Sequence, residues 1–157
     1  MSTLIETSNF QVLPSGCQLT VSVPTSFGSR RQHGGYVYVC LPWLESSQWH
    51  AYSLYETSNE DEKVIFIMNN GDWTSNLHKQ LQRTSNRPVW LCGPFTSPYN
   101  TDIMHDNLIL VAGGIGITPA LSSISNLGQT RTVNLVWMTR DQNMVSAQCY
   151  CVGVGIR

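Results

Sequence analysis

A glycine-rich segment in the C-terminal third of the chain is the strongest chemical signal in the sequence. It lies between an apolar run at residues 108–111 and a helix start, with Thr118 as N-cap and Pro119 in the first turn. Its glycines are Gly113, Gly114 and Gly116. Such glycines let the backbone approach a pyrophosphate closely, and a helix N-terminus offers N–H groups and about half a positive charge. The segment predicts an anion site, although a turn that merely closes a strand against a helix is the open alternative.

The segment departs from the dinucleotide-binding fingerprint in two places. Pro119 stands where a third glycine is usual, and Arg140 stands at the end of the second strand, where an acidic residue is usual. An arginine at that point suits a 2′-phosphate better than a ribose hydroxyl. The pattern therefore favours NADP over NAD.

A second candidate phosphate site is Gly71-Asp72-Trp73-Thr74, directly before a short amphipathic helix predicted over residues 74–82. We expect Thr74 to be the N-cap, and the backbone N–H groups that follow it to bind phosphate together with its hydroxyl. The alternative is ordinary turn chemistry, with Trp73 as an anchor in the core.

A third group is His50-Ala51-Tyr52-Ser53, on a predicted strand. Strand alternation places His50 and Tyr52 on one face and Ala51 and Ser53 on the other. A tyrosine ring offers a flat surface for stacking, and a serine hydroxyl both donates and accepts hydrogen bonds. A packed tyrosine beside a solvated histidine is the simpler alternative.

The elements that carry these groups change in character along the chain. Short strands predicted at residues 18–23, 36–39, 49–55, 64–68 and 89–92 are typical of a small antiparallel β-barrel or sandwich. The stretch 93–106 is predicted as a loop and as the domain boundary. We therefore expect a barrel domain at residues 8–105 and an α/β domain at residues 106–157.

The second domain is predicted to be an incomplete βαβ unit. Residues 108–111 resemble a parallel strand buried on both faces, a helix follows over 120–127 with Gly128 as its stop, and a second strand covers 133–138. No strand pattern follows Arg140. Two parallel strands cannot cover their own apolar edges, so we expect a truncated domain and self-association through the exposed sheet edge.

Composition excludes several functions for this chain of 157 residues. A net charge of −1 without a basic run disfavours nucleic acid and anionic lipid as partners. The longest apolar stretch, residues 108–117, is far short of the ~20 residues that a membrane span needs. The four histidines show no metal-ligand spacing, and five scattered cysteines without a secretory signal indicate reduced thiols in a cytoplasmic chain.

Read in order, these motifs resemble the flavin-binding and nucleotide-binding region of the ferric reductase and NADPH oxidase family, within the ferredoxin reductase superfamily. The resemblance covers residues 10–140. It rests on five segments, at residues 34–39, 50–53, 71–74, 93–95 and 111–119.

The resemblance implies a flavin-dependent oxidoreductase fragment in which hydride passes from NADPH to FAD. Tyr52 would stack on the isoalloxazine ring, and Ser53, as the catalytic residue, would hydrogen-bond near its N5. His50 and the helix start would hold the FAD pyrophosphate. The residues implied at that start are Gly71, Trp73 and Thr74.

On the NADPH side, the resemblance implies contacts from the glycine segment and from Arg140 at the 2′-phosphate. The residues implied in the segment are Gly113, Gly114, Gly116, Thr118 and Pro119. The resemblance also implies a haem-bearing membrane domain in a full-length protein, with this chain at the cytosolic face. A non-catalytic flavin-binding or interaction fragment and a short soluble flavin reductase remain as alternatives.

Overall fold

The computed structural model describes residues 2–24, 27, 35–57, 59, 61–97, 105–127, 130–143 and 145. The predicted helix stop at Gly128 and residues 98–104 of the loop predicted over 93–106 lie outside these residues. Within them, no helix has the length and apolar character that crossing a membrane requires.

The first part of the chain is a curled antiparallel sheet of seven strands with one helix. The strands are β1 Ser2–Leu13, β2 Gly16–Ser22, β3 Tyr36–Leu41, β4 Glu45–Ser53, β5 Tyr55–Glu56, β6 Glu62–Met68 and β7 Ser85–Phe95. Their order in the sheet is β4-β3-β7-β1-β2-β6-β5, and the sheet curls until β4 contacts β6. Helix α1, Asp72–Gln80, connects β6 to β7. The predicted antiparallel barrel is confirmed.

Strand alternation builds the interior of this barrel. Leu19, Val21 and Val23 are buried as their period-2 pattern predicts, and Leu77 of α1 with the adjacent Leu81 packs into the same cluster. Each side chain buried in this way contributes about 1.5–3 kcal/mol relative to an exposed one. The barrel therefore has a continuous apolar core on which the candidate site is mounted.

One strand was not predicted from the sequence, and another continues into the predicted loop. Strand β1 begins at Ser2 and pairs with both β2 and β7, whereas the sequence predicted no strand before residue 18. Strand β7 continues through Gly93 to Phe95, so the predicted loop starting at residue 93 is wrong at its beginning. Gly93 has φ +136°, a conformation that favours glycine, and it lies where the register between β3 and β7 shifts. The boundary between residues 105 and 106 stays a prediction.

The second part of the chain is the predicted βαβ unit. It comprises β8 Asn107–Gly113, a 3₁₀ turn Gly114–Gly116, α2 Ile117–Leu127 and β9 Thr132–Met138, with β8 and β9 parallel. The prediction that the first strand is buried on both faces is wrong. Alternate residues of β8 are exposed, including Ile109 at 73% and Val111 at 62%, because α2 packs on the face of this sheet that carries Leu110 and Ala112.

An apolar cluster joins the two parts. Tyr55, Val64 and Phe66 of the barrel pack with residues of the βαβ unit. The members from that unit are Leu110, Ala112, Ile117, Ala120 and Leu121. The glycine turn is thereby held beside the barrel.

Candidate functional site

The His50 ring lies against the Trp73 ring, which brings two of the predicted motifs together. Their ring centroids are 4.1 Å apart and their planes are inclined by 35°. His50 projects from β4 and Trp73 from the first turn of α1. The Nε2 atom of His50 is also 3.2 Å from Oε1 of Gln48. The strand motif and the helix start thus form one surface on the barrel.

Thr74 organises the turn before α1, but it is not the N-cap. Gly71 is the N-cap, in an extended conformation, and Thr74 is the third helical residue. The Thr74 hydroxyl accepts hydrogen bonds from the N–H groups of Asn70, at 3.0 Å, and Gly71, at 2.9 Å, and donates to the Gly71 carbonyl oxygen at 3.0 Å. The single hydrogen of the Thr74 hydroxyl and both lone pairs of its oxygen are therefore engaged in hydrogen bonds.

The N–H groups that α1 can offer an anion differ from those predicted. The N–H of Ser75 donates to the Gly71 carbonyl oxygen at 2.8 Å, so the helical hydrogen-bond pattern already begins there. The first-turn donors without intrahelical partners are those of Asp72, Trp73 and Thr74. The N-cap therefore lies three residues before the predicted one, and these three N–H groups are the ones that the start of the helix presents.

Tyr52 and Ser53 lie on opposite faces of β4, as alternation predicted. Tyr52 pairs with Val37 and packs on the barrel core. Burial raises the pKa of its phenol, and repulsion from Cys17 adds to the rise, so the ring is neutral at physiological pH. Ser53 pairs with Tyr36, whose ring stacks on Phe95 with centroids 5.2 Å apart.

The glycine turn leaves open space on its surface. Gly114 has φ +49°, a left-handed conformation that favours glycine. A Cβ atom placed on Gly113, Gly114 or Gly116 would meet no atom of the described residues within 4 Å. The Gly114 carbonyl oxygen accepts a hydrogen bond from Nε1 of Trp137 at 3.0 Å. Sequence reasoning missed Trp137.

The remaining predicted residues surround this turn. Thr118 is the second residue of α2 rather than its N-cap, because the 3₁₀ turn leads directly into the helix, while Pro119 is in the first turn as predicted. Arg140 is exposed, two residues after Met138, which pairs with Gly113. The structure therefore brings Arg140 and the glycine turn to the same end of the parallel sheet, where β8 and β9 both finish.

A largely apolar cleft lies between the barrel and the glycine turn. It is lined by residues 13–17 and 66–68 of the barrel, and by Ile115 and Asn143 from the second unit. Cys17, which lines it, also acts electrostatically on Tyr52. The predicted residues form two groups, one on β4 and α1 and one at the glycine turn, and Ile115 of that turn lines the cleft.

Comparison with known proteins identifies the class to which this architecture belongs. A ferredoxin NADP⁺ reductase from Neisseria gonorrhoeae, determined with bound FAD and NADP, superposes with a TM-score of 0.68 at 19% sequence identity, covering 95% of this chain and 62% of that one. The fold is therefore that of the ferredoxin reductases, an antiparallel barrel followed by a parallel α/β unit.

Sequence comparison defines the family more narrowly. The model of a family described as FAD-binding domain matches residues 5–135. Ferric reduction oxidase 8 of Arabidopsis thaliana is 33% identical over 129 residues, and respiratory burst oxidase homolog protein A of Solanum tuberosum is 27% identical over 148 residues. The chain belongs to the FAD-binding domain family of the ferric reductases and NADPH oxidases. These two matches span 70% and 82% of this chain, but only 18% and 15% of the relatives' own length.

The residues present fit the cofactors that this family implies. The Trp73 indole N–H is buried and has no hydrogen-bond partner among the described residues, and it lies at the helix start that would receive a pyrophosphate. The buried Thr118 hydroxyl likewise lacks a partner within the part of the chain that the structure describes. A buried polar group without a partner is costly, and a cofactor bound at these two positions would supply one.

Proposed function

We propose that this chain holds FAD and NADPH in a flavin-dependent oxidoreductase and orients them for hydride transfer. The contact between His50 and Trp73 is the main support, because it joins β4 to the N-terminus of α1 on one surface. A bound flavin accepts hydride and can release electrons singly to an acceptor. The neighbour with bound FAD and NADP supports the pair of cofactors.

On the FAD side, the chain supplies an aromatic face, a hydroxyl and anion donors. Tyr52 is neutral, and its packing on the core restricts its ring to few orientations, which suits stacking. Ser53 supplies the hydroxyl near the flavin N5. His50 and the N–H groups of the first turn of α1, near Trp73, supply the pyrophosphate contacts. Thr74 acts by fixing this turn rather than by touching phosphate.

On the NADPH side, the open glycine turn supplies backbone N–H groups at the start of α2. Gly113, Gly114 and Gly116 leave room for a pyrophosphate, since no described atom would touch a Cβ there. Arg140, exposed at the same end of the parallel sheet, suits the 2′-phosphate. Thr118 contributes a hydroxyl at the nicotinamide approach.

Anaerobic mixing of the FAD-loaded chain with NADPH tests the proposal. We expect the visible flavin absorbance to bleach in a single-turnover reaction, and to bleach more slowly with NADH because Arg140 has no 2′-phosphate to bind. Flavin that stays oxidised on a correctly folded, FAD-loaded chain would contradict hydride transfer. That result would support the second candidate, a non-catalytic flavin-binding fragment, which is favoured by the uncovered face of the βαβ sheet.

The uncovered sheet face also supports a proposal about association. Ile109, Val111 and Met138 expose 73%, 62% and 62% of their surface, and no strand among the described residues pairs with the outer edges of β8 and β9. We expect the isolated chain to self-associate here, so that Val111→Lys shifts its light-scattering mass toward that of a monomer, whereas Ser47→Lys on the barrel does not. An unchanged mass in the Val111 variant would refute this contact.

The place of the chain in a longer protein is a further part of the proposal. Its coverage of 18% of ferric reduction oxidase 8 supports an origin next to a haem-bearing membrane domain, with the chain at the cytosolic face. Genomic sequence on both sides of the reading frame tests this. Apolar helices encoded upstream and further α/β units encoded downstream are the expected result.

A further inference from the structure

The hydrogen bond from Trp137 to Gly114 fixes the peptide group at the centre of the glycine turn. The Gly114 carbonyl oxygen accepts Nε1–H of Trp137 at 3.0 Å and also the backbone N–H of Ile117. Both lone pairs of this oxygen are therefore engaged. The bond joins β9 to the turn across 23 residues of sequence.

The direction of this carbonyl determines the direction of an N–H group. In a trans peptide the carbonyl oxygen and the N–H of the next residue point in opposite directions. Because the Gly114 carbonyl is directed at Trp137 and at Ile117, the first residue of α2, the N–H of Ile115 points the other way, out of the turn and beyond the N-terminus of α2. An anion at a helix N-terminus binds in this space, in front of the free N–H groups.

Gly114 gives the turn the freedom that makes this restraint matter. With φ +49° and open space around its Cβ position, Gly114 can leave its observed conformation at little steric cost. If the turn also samples other conformations, its affinity for the ligand falls in proportion to the fraction of molecules that leave the binding conformation. An external hydrogen bond that holds the peptide in one orientation raises that population.

We propose that Trp137 is a positioning residue for the nucleotide pyrophosphate, acting through the Gly114 carbonyl. This inference rests on the proposed function, since it assigns a determinant of NADPH affinity within the same site. Trp137 is half-buried and also packs in the apolar cluster with Leu110 and Ile117. The packing and the hydrogen bond are separable, because phenylalanine retains an aromatic ring and lacks the N–H donor.

The test uses the FAD-loaded chain and isothermal titration with NADP⁺. We expect Trp137→Phe to raise the Kd for NADP⁺ about threefold to tenfold, the range for one hydrogen bond that stabilises the binding conformation. The FAD content is expected to equal that of the parent chain. In turnover, KM for NADPH rises while kcat changes little. Trp90→Phe, at a half-buried tryptophan of the barrel, is the matched control and leaves the Kd unchanged.

A second variant isolates the N–H group. Benzothienylalanine at position 137 keeps the shape of the indole and replaces its N–H with sulfur, so it is expected to weaken NADP⁺ binding as Trp137→Phe does. NADP⁺ affinity equal to the parent in both variants would overturn the inference alone. If the parent chain itself binds no NADP⁺, the proposed function fails and the inference fails with it, so the two failures are distinguishable.

Discussion

Replacing Thr74 with valine tests how the barrel prepares its pyrophosphate site. Valine preserves the branched shape and removes the hydroxyl, which accepts from the N–H groups of Asn70 and Gly71 and donates to the Gly71 carbonyl. Loss of such hydrogen bonds at a helix start lowers the free energy of unfolding by about 1–2 kcal/mol, and the lower value applies at partly exposed positions. For a chain of this size that corresponds to a fall in Tm of roughly 3–6 °C.

The same change is expected to weaken FAD binding, because the turn that directs the first N–H groups of α1 is loosened. We expect Kd for FAD to rise about threefold to tenfold. Thermal unfolding and FAD titration measure the two effects. Thr74→Ser retains the hydroxyl and is expected to retain both stability and affinity, while Thr132→Val, at an exposed strand threonine, changes stability by less than about 0.5 kcal/mol.

Two results would refute this reasoning about Thr74. One is a valine variant with the Tm and FAD affinity of the parent, which would mean that the three hydrogen bonds do not organise the turn. The other is a serine variant that loses as much as the valine variant, since the hydroxyl would then not be the relevant group.

Three further predictions concern other parts of the chain. Gly114→Ala places a side chain at φ +49°, so we expect a loss of about 1–2 kcal/mol in unfolding and weaker NADP⁺ binding with unchanged FAD content; equal NADP⁺ affinity in titration would contradict it. Gly16→Ala forces a Cβ against the Ile67 carbonyl oxygen, so urea unfolding is expected to show a loss of more than about 2 kcal/mol, and a stable variant would be inconsistent with the β2–β6 packing. Burial raises the pKa of the Cys17 thiol from 9.0 to about 12, so this thiol loses its proton at lower pH in the unfolded chain than in the folded one. The free energy of unfolding is therefore expected to fall between these pH values, by at most about 1.4 kcal/mol per pH unit. Cys17→Ala should flatten that fall, and an equally steep fall in the variant would refute the assignment.

The barrel was largely predictable from period-2 patterns, and its first strand shows where such patterns fail. Leu19, Val21 and Val23 alternate cleanly because β2 has one face in the core. In β1, the register shifts between Ile5 and Ser8, and most residues before Ser8 are exposed. The strand forms because β2 and β7 pair with it, which is information from distant parts of the chain.

The site was predictable in its residue types and less so in its local geometry. The motifs containing His50 and Trp73 were identified from residue chemistry, but their ring contact required the fold. Thr74 has the same local signature whether it is an N-cap or a third helical residue, so its role was misassigned. Trp137 carries no local signal at all, because its partner Gly114 lies 23 residues away.

Titration of FAD into the purified chain tests the central claim most directly, with Tyr52→Leu and Tyr38→Leu as a matched pair. Tyr52 packs on the barrel core at the proposed flavin site, whereas Tyr38 lies exposed on the opposite face of the sheet. We predict saturable binding to the parent chain, retained in Tyr38→Leu and weakened about threefold to tenfold in Tyr52→Leu through lost stacking. No binding by the folded parent chain, or equal affinity in the two variants, would contradict the account.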